Sequence, residues 1–249
     1  MKARSPSSSI RKKRSDSSLK TWTCEGALAE LRRLGEKRNV DGMARFGIVA
    51  KHVLGVAKPK MDGLARRIGR DHRLALQLWE TGVHDARILA GMIDEPARVT
   101  AAQMNRWVRD FDNWDVCDGT CCHLFAFATP AWDRAVAWTT RNPEFEKRAG
   151  FALIAYLAYR DKIAKDSAYT CVLPLLLREA HDDRNFVRKA VNWALRSIGK
   201  RNLNLNRAAI RTAERMRKRN SRVARWIAAA ALREMKSDAV QSRLRRKKA

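Results

Sequence analysis

Three segments of this chain can be laid over one another. FEKRAGFALIAYLAYRD (residues 145–161), FVRKAVNWALRSIGKRN (186–202) and RVARWIAAAALREMKSD (222–238) each set a basic residue near an alanine or aromatic and an apolar run. Arg148, Lys189 and Arg225 mark the shared position, 41 and 36 residues apart, and DARILAGMI around Arg87 carries the same element. A helical recurrence of this length leaves few architectures open. One pair of amphipathic helices cannot cover its own apolar face, so neighbouring pairs must stack.

Spacing near 40 with two helices per unit is the signature of HEAT-like stacking, and the expected fold is an all-α, HEAT-like solenoid with a concave, basic surface. A generic helical bundle with chance similarity is the competing arrangement. CEGALAELRRLGEKR, VDGMARFGIVAKHVLG, HRLALQLWETG and DARILAGMIDE repeat apolar residues every three or four positions, the spacing of an amphipathic helix. Pro59, Pro96, Pro130 and Pro143 fall at junctions, where a helix begins or ends. Residues 1–20 hold Ser, Lys and Arg with nothing to bury and are expected to be a disordered basic arm. The repeat domain is expected over 21–235, and a basic tail over 236–249.

Lys and Arg number 52 against 26 acidic residues, a formal charge of +26. The arm holds +6 and the tail +5, which leaves +15 on the body. Solvation alone calls for mixed signs, whereas a twofold excess of one sign attracts polyanions. Nucleic acid is favoured over a membrane surface, because no segment is both basic and rich in exposed apolar groups. No apolar run approaches the roughly 18 residues of a membrane span, and the first twenty residues lack the apolar stretch of a secretory signal. A soluble, monomeric, cytoplasmic protein close to the nucleoid is expected. Five cysteines, an odd number, suit a reducing compartment and free thiols.

Three of those cysteines lie in NWDVCDGTCC, residues 113–122. Trp114 and Asp118 are four apart and share one face of a helix, with Asp115 and Cys117 directed elsewhere. A carboxylate turned inward needs a cationic partner, and Arg148, leading the repeat helix, is the candidate. Cys117, Cys121, Cys122 and His123 lack a second cluster to complete a tetrahedral set, so no metal is expected. No glycine-rich phosphate cradle or Ser/His/Asp arrangement stands out, and no cofactor is expected.

WD-x-x-D at 114–118, EKRAGFAL at 146–153 and RKAVNWAL at 188–195 together resemble the AlkD-type DNA alkylation repair proteins, HEAT-like DNA glycosylases, over about residues 25–235. The resemblance implies hydrolysis of the N-glycosidic bond of cationic alkylated purines, such as 3-methyladenine and 7-methylguanine, in duplex DNA. It places the family's carboxylate at Asp118, its tryptophans at Trp114 and Trp193, and its arginine at Arg148. Phe46 stands where a tyrosine is expected and belongs with the DNA contacts, as do Lys58, Lys60, Arg188 and Lys189. A relative that binds damaged or branched DNA without cleaving it is the alternative. The residue types also suit the chemistry by themselves. A purine alkylated at N3 or N7 is a cation that leaves as a neutral base and needs little general acid. One carboxylate can then steady the positive charge arising on the sugar, and indole faces attract the cationic base.

Overall fold

The computed structural model describes residues 22–246, apart from 49 and 51. The arm expected at 1–20 therefore lies outside the described residues. The described chain forms fourteen α-helices: α1 (Cys24–Leu34), α2 (Lys37–Met43), α3 (Lys58–Ile68), α4 (His72–Glu80), α5 (His84–Ile93), α6 (Ala101–Arg109), α7 (Trp114–His123), α8 (Ala131–Trp138), α9 (Glu144–Arg160), α10 (Asp166–Glu179), α11 (Asn185–Gly199), α12 (Leu203–Arg217), α13 (Arg222–Met235) and α14 (Asp238–Arg246). No strand occurs among the described residues. The starts follow local chemistry: Thr23, Asp71, Thr100, Asn113, Asn202 and Ser221 each cap a helix by accepting a hydrogen bond from a first-turn N–H. Pro59, Pro96, Pro130 and Pro143 stand at element starts, whereas Pro174 lies inside α10.

The helices form two layers. In one, α5, α7, α9, α11 and α13 lie side by side in chain order; α4, α8 and α12 back onto this row, and α10 packs beside α12. Arg87, Arg148, Lys189 and Arg225 sit near the starts of four of the five helices in the first row, so the recurrence seen in the sequence marks equivalent helices of successive repeats. This is an α-solenoid of HEAT-like pairs. Its core fills the space between the layers and is continuous from Ala27 to Met235. In the second layer Trp79 stacks on Trp107 at 3.9 Å, and Trp132 meets Tyr169 edge to face at 5.0 Å, so large rings bridge one repeat to the next. Gly150 lets α9 approach α8: a Cβ there would stand 2.8 Å from the Thr139 backbone nitrogen and 2.9 Å from the Ala135 carbonyl oxygen.

Two stretches differ from the sequence expectation. VDGMARFGIVAKHVLG reads as one helix, yet the α-helix stops at Met43, a 3-10 turn covers Ala44–Phe46, and the described residues from there to Ala57 are not helical. Gly47 and Gly55 both adopt a φ of 74°, which favours glycine and ends helical propagation. The buried Asp85 carboxylate accepts hydrogen bonds from the Leu54 and Val56 N–H groups at 2.7 and 2.8 Å, supplying partners that a helix would otherwise provide. At the other end, residues expected to be a basic tail include α14, which packs on α13 and buries Val240 and Leu244.

At the junction of α9, α10 and α11, Lys147 reaches Glu179 at 2.7 Å and Asp182 at 3.1 Å, and Arg184 pairs with Asp182 at 2.5 Å. Burial alone pushes the Asp182 carboxyl up, but hydrogen bonds from Arg184 and Lys147 outweigh it and bring it down to about 2. A carboxyl held below its unfolded value stabilises the fold above that value and loses the contribution as pH falls toward 2. Asp182→Asn is expected to cost about 2 kcal/mol in urea unfolding at pH 7, with a smaller difference from the wild type at pH 3.

Candidate functional site

The site begins at the start of α7. Asn113, buried between Asp112 and Trp114, accepts hydrogen bonds from the Asp115 and Val116 N–H groups at 3.0 and 3.1 Å. Its amide nitrogen lies 3.3 Å from His84 Nδ1, which ties the cap to α5. The cap sets the first turn, and so the directions of Trp114 and Asp118. Trp114 is half-buried, and its Nε1 donates to the Phe46 carbonyl at 2.9 Å. The Phe46 ring itself is 73% exposed, so the backbone of this turn, not its side chain, fixes the indole.

Asp118 is the fifth residue of α7, as Arg148 is of the adjacent α9. Equivalent positions on neighbouring helices face each other, and here one is a carboxylate and the other a guanidinium. Arg148 Nε and Nη2 donate to the two Asp118 oxygens at 2.9 and 2.6 Å, a fork-to-fork pair, while Nη1 donates to the Phe186 carbonyl at 2.8 Å. The side chains are 16% and 8% exposed. Burial pushes the Asp118 carboxyl above its ordinary value, opposed by the charge and hydrogen bonds of Arg148. Burial also works against the Arg148 charge, but the Asp118 carboxylate outweighs it and holds the guanidinium above its ordinary value. Each group favours the charged form of the other and offsets part of the cost of burying it.

Asp118 and Trp114 line a cleft of about 420 Å³ walled by α3, α5, α7 and the non-helical segment before α3, with Tyr156 of α9 closing one side. Arg148 stands behind Asp118. Asp115, expected to point elsewhere, lines the same cleft and lies 3.2 Å from His84 Nε2. Successive helical side chains are about 100° apart, so a wide concave wall takes both neighbours. Trp193 does not line this cleft. It belongs to a second cleft and meets Tyr156 edge to face at 4.8 Å, so the tyrosine stands between it and the Asp118 side. Cys117 and Cys121 are buried, Cys122 lines the Asp118 cleft, and all five thiols are free. No cluster of three or more His, Cys, Asp or Glu that could hold a metal occurs among the described residues.

Among the basic candidates, Lys58 lines the cleft and pairs with Asp62, and Lys60 pairs with Glu36 at 2.5 Å. Lys189 is exposed, and the Arg188 guanidinium sits 5.4 Å from the centre of the Trp226 ring. Sequence reasoning missed Asn113 as a cap, His84, Asp85 and Tyr156. The first was readable from its position before a helix. Tyr156 lies eight residues after Arg148, a spacing that keeps both on one side of α9. His84 and Asp85 carried no such signal, because their partners lie about 30 residues away in sequence.

A repeat solenoid whose site-bearing row presents a paired carboxylate and an indole to an open cleft defines a class: an α-helical repeat protein with a polar site on its inner helices. A model of the family described as DNA alkylation repair enzyme matches residues 27–235, and the chain belongs to that family. Among solved structures, one described as "a new family of proteins related to the HEAT-like repeat DNA glycosylases with affinity for branched DNA structures" superposes with a TM-score of 0.71 at 22% identity, covering 86% of this chain and 96% of the other. That likeness shows a shared fold. No curated protein matches the chain in sequence.

Removing Arg148 strands a buried charge. Arg148→Ala is expected to lower stability by roughly 3–5 kcal/mol at pH 7, and adding Asp118→Asn should recover a good part of it. Chemical unfolding of the two single variants and the double variant checks this.

Proposed function

We propose that the Asp118 cleft holds a cationic alkylated purine of duplex DNA and that the protein hydrolyses its N-glycosidic bond. The observation that carries this is the Asp118 carboxyl beside the Trp114 ring on the wall of an open cleft, backed by a guanidinium that donates to both of its oxygens. The family description, DNA alkylation repair enzyme, supports the reading. So does the charge of +26, which favours a polyanion.

In the reaction the bond between the base nitrogen and the sugar C1′ breaks, and its electron pair stays with the base. A cationic purine thereby leaves neutral, so no acid has to protonate it. Positive charge moves to the sugar, where the Asp118 carboxylate lowers its energy. Water then bonds to C1′ and loses its proton to solvent or to a carboxylate of the cleft. Arg148, tied to the Phe186 carbonyl, is a positioning residue that holds both Asp118 oxygens. The Trp114 face attracts the cationic base with about 0.5–2 kcal/mol and discriminates against neutral bases. Trp193 contributes from beyond Tyr156, at the edge of the bound strand. Phe46, Lys58, Lys60, Arg188 and Lys189 contact the DNA strands, the cations as salt-sensitive phosphate partners.

A second reading has a specific observation in its favour. Both Asp118 oxygens are already engaged by Arg148, so the carboxylate is balanced before any substrate arrives, as a purely architectural pair would be. The same groove would then bind damaged or branched DNA without cleaving it, in keeping with the affinity stated for the structural relative.

Incubation with methylated duplex DNA separates the two. The wild type is expected to release 7-methylguanine, and Asp118→Asn to reduce the rate by about 10²-fold or more. Tight, salt-sensitive binding with no base released by either protein would establish the second reading instead.

A further inference from the structure

A cleft of about 550 Å³ lies on the other side of Tyr156, between α9, α11 and α14. One part of its wall is aromatic: Tyr156, Tyr159 and Trp193. Another is cationic: Lys162, Lys200, Arg201 and Arg243, and no carboxylate lines it among the described residues. Two of these cations have internal work. Lys200 pairs with Glu234 at 2.6 Å, and Arg201 donates to the carbonyls of Ala158, Asp161 and Ala164 while lying 4.4 Å from the centre of the Tyr169 ring. Lys162 and Arg243 pair with no carboxylate among the described residues, although Lys162 donates to the Tyr159 carbonyl at 2.6 Å.

The turn that carries Lys162 is held in place before any ligand arrives. The Asp161 carboxylate accepts from the Ile163 and Ala164 N–H groups at 2.9 and 2.8 Å and from Trp132 Nε1 at 3.0 Å. Tyr159, one turn earlier, is 71% exposed. The Lys162 ammonium lies 5.4 Å from the centre of that ring, so a cation and an aromatic face are presented together, and the geometry is preformed. Apolar ligands are disfavoured by four cations, and a bare anion would leave the rings uncovered. Flat aromatic groups carrying phosphate match both parts, and the overall positive field favours a polymer of them over a free nucleotide.

We propose that this second cleft binds an unpaired nucleotide of a DNA strand, its base against Tyr159 and Trp193 and its phosphate at Lys162 and Arg243. The site rests on the DNA-binding half of the function proposed above and not on base release. Aromatic stacking platforms flanked by cations tolerate any base, because every base has a π face. The cleft would take a single-stranded tail, or the strand displaced at a branch, next to the duplex gripped by the Asp118 side.

The test compares a blunt duplex with the same duplex bearing a short single-stranded thymidine tail, by fluorescence anisotropy of the full chain. The wild type is expected to bind the tailed duplex roughly tenfold more tightly. Tyr159→Ser combined with Arg243→Ser should erase that preference and leave blunt-duplex affinity and any 7-methylguanine release within twofold. Tyr159→Phe, which keeps the ring, should retain the preference. No preference in the wild type, or an undiminished one in the double variant, overturns the proposal. Saturable binding of thymidine monophosphate with no preference for the tailed duplex would reassign the cleft to a free nucleotide and overturn it equally. The preference itself is read by binding alone, so a protein without glycosylase activity can still pass the test.

Discussion

Each helix pair of this protein is incomplete without its neighbours. The second-layer helices present Trp79, Trp107, Trp132 or Trp138 to a neighbouring repeat, and the first-row helices bury mainly alanine, leucine and isoleucine, except α7, which buries Val116, Cys117 and Cys121. Burial of an apolar side chain is worth about 1.5–3 kcal/mol, so the stack is stable only as a whole. That continuity fixes the separation and the register of α5, α7, α9, α11 and α13, and every polar feature of the molecule is placed by it. Close approaches such as that of Gly150 to α8 matter for the same reason, since a displaced α9 would carry Arg148 with it.

Against this background the Asp118–Arg148 pair is a local exception to the repeat. The first-row helices α5, α9, α11 and α13 carry a basic residue near their starts, and α7 carries an acid. Lys189 and Arg225 stay exposed and Arg87 is held against Asp110, whereas the acid on α7 draws Arg148 into a dry, two-pronged contact. The exception is therefore what creates a buried polar site on an otherwise cationic face. Tyr156, standing on α9 between two clefts, then divides that face into a part near Trp114 and a part near Trp193.

The repeat, the all-helical class and the family resemblance were all legible along the chain, because each depends on residues within one or two turns of one another. Trp114 and Asp118 share a face for that local reason. The non-helical run among the described residues of 47–57 was not legible: its apolar spacing resembles a helix, and the hydrogen bonds that hold it extended come from distant groups, the Asp85 carboxylate, the His84 N–H and the Asn39 amide among them. The separation of Trp193 from Asp118 was hidden too, since the residue between them comes from a third helix.

By itself, then, the order of amino acids determined that this protein is a basic stack of helix pairs and which residue types its row would carry. Periodicity, capping and charge act over short stretches and need no partner to be read. The pairing of Asp118 with Arg148 was expected from the sequence, but tertiary structure alone decided its two-pronged form at 2.9 and 2.6 Å, that Asp115 joins the same cleft, and that Trp193 opens onto another. Those outcomes depend on how far apart neighbouring helices settle and how they are rotated, which is set by the packing of many side chains at once and by no single segment.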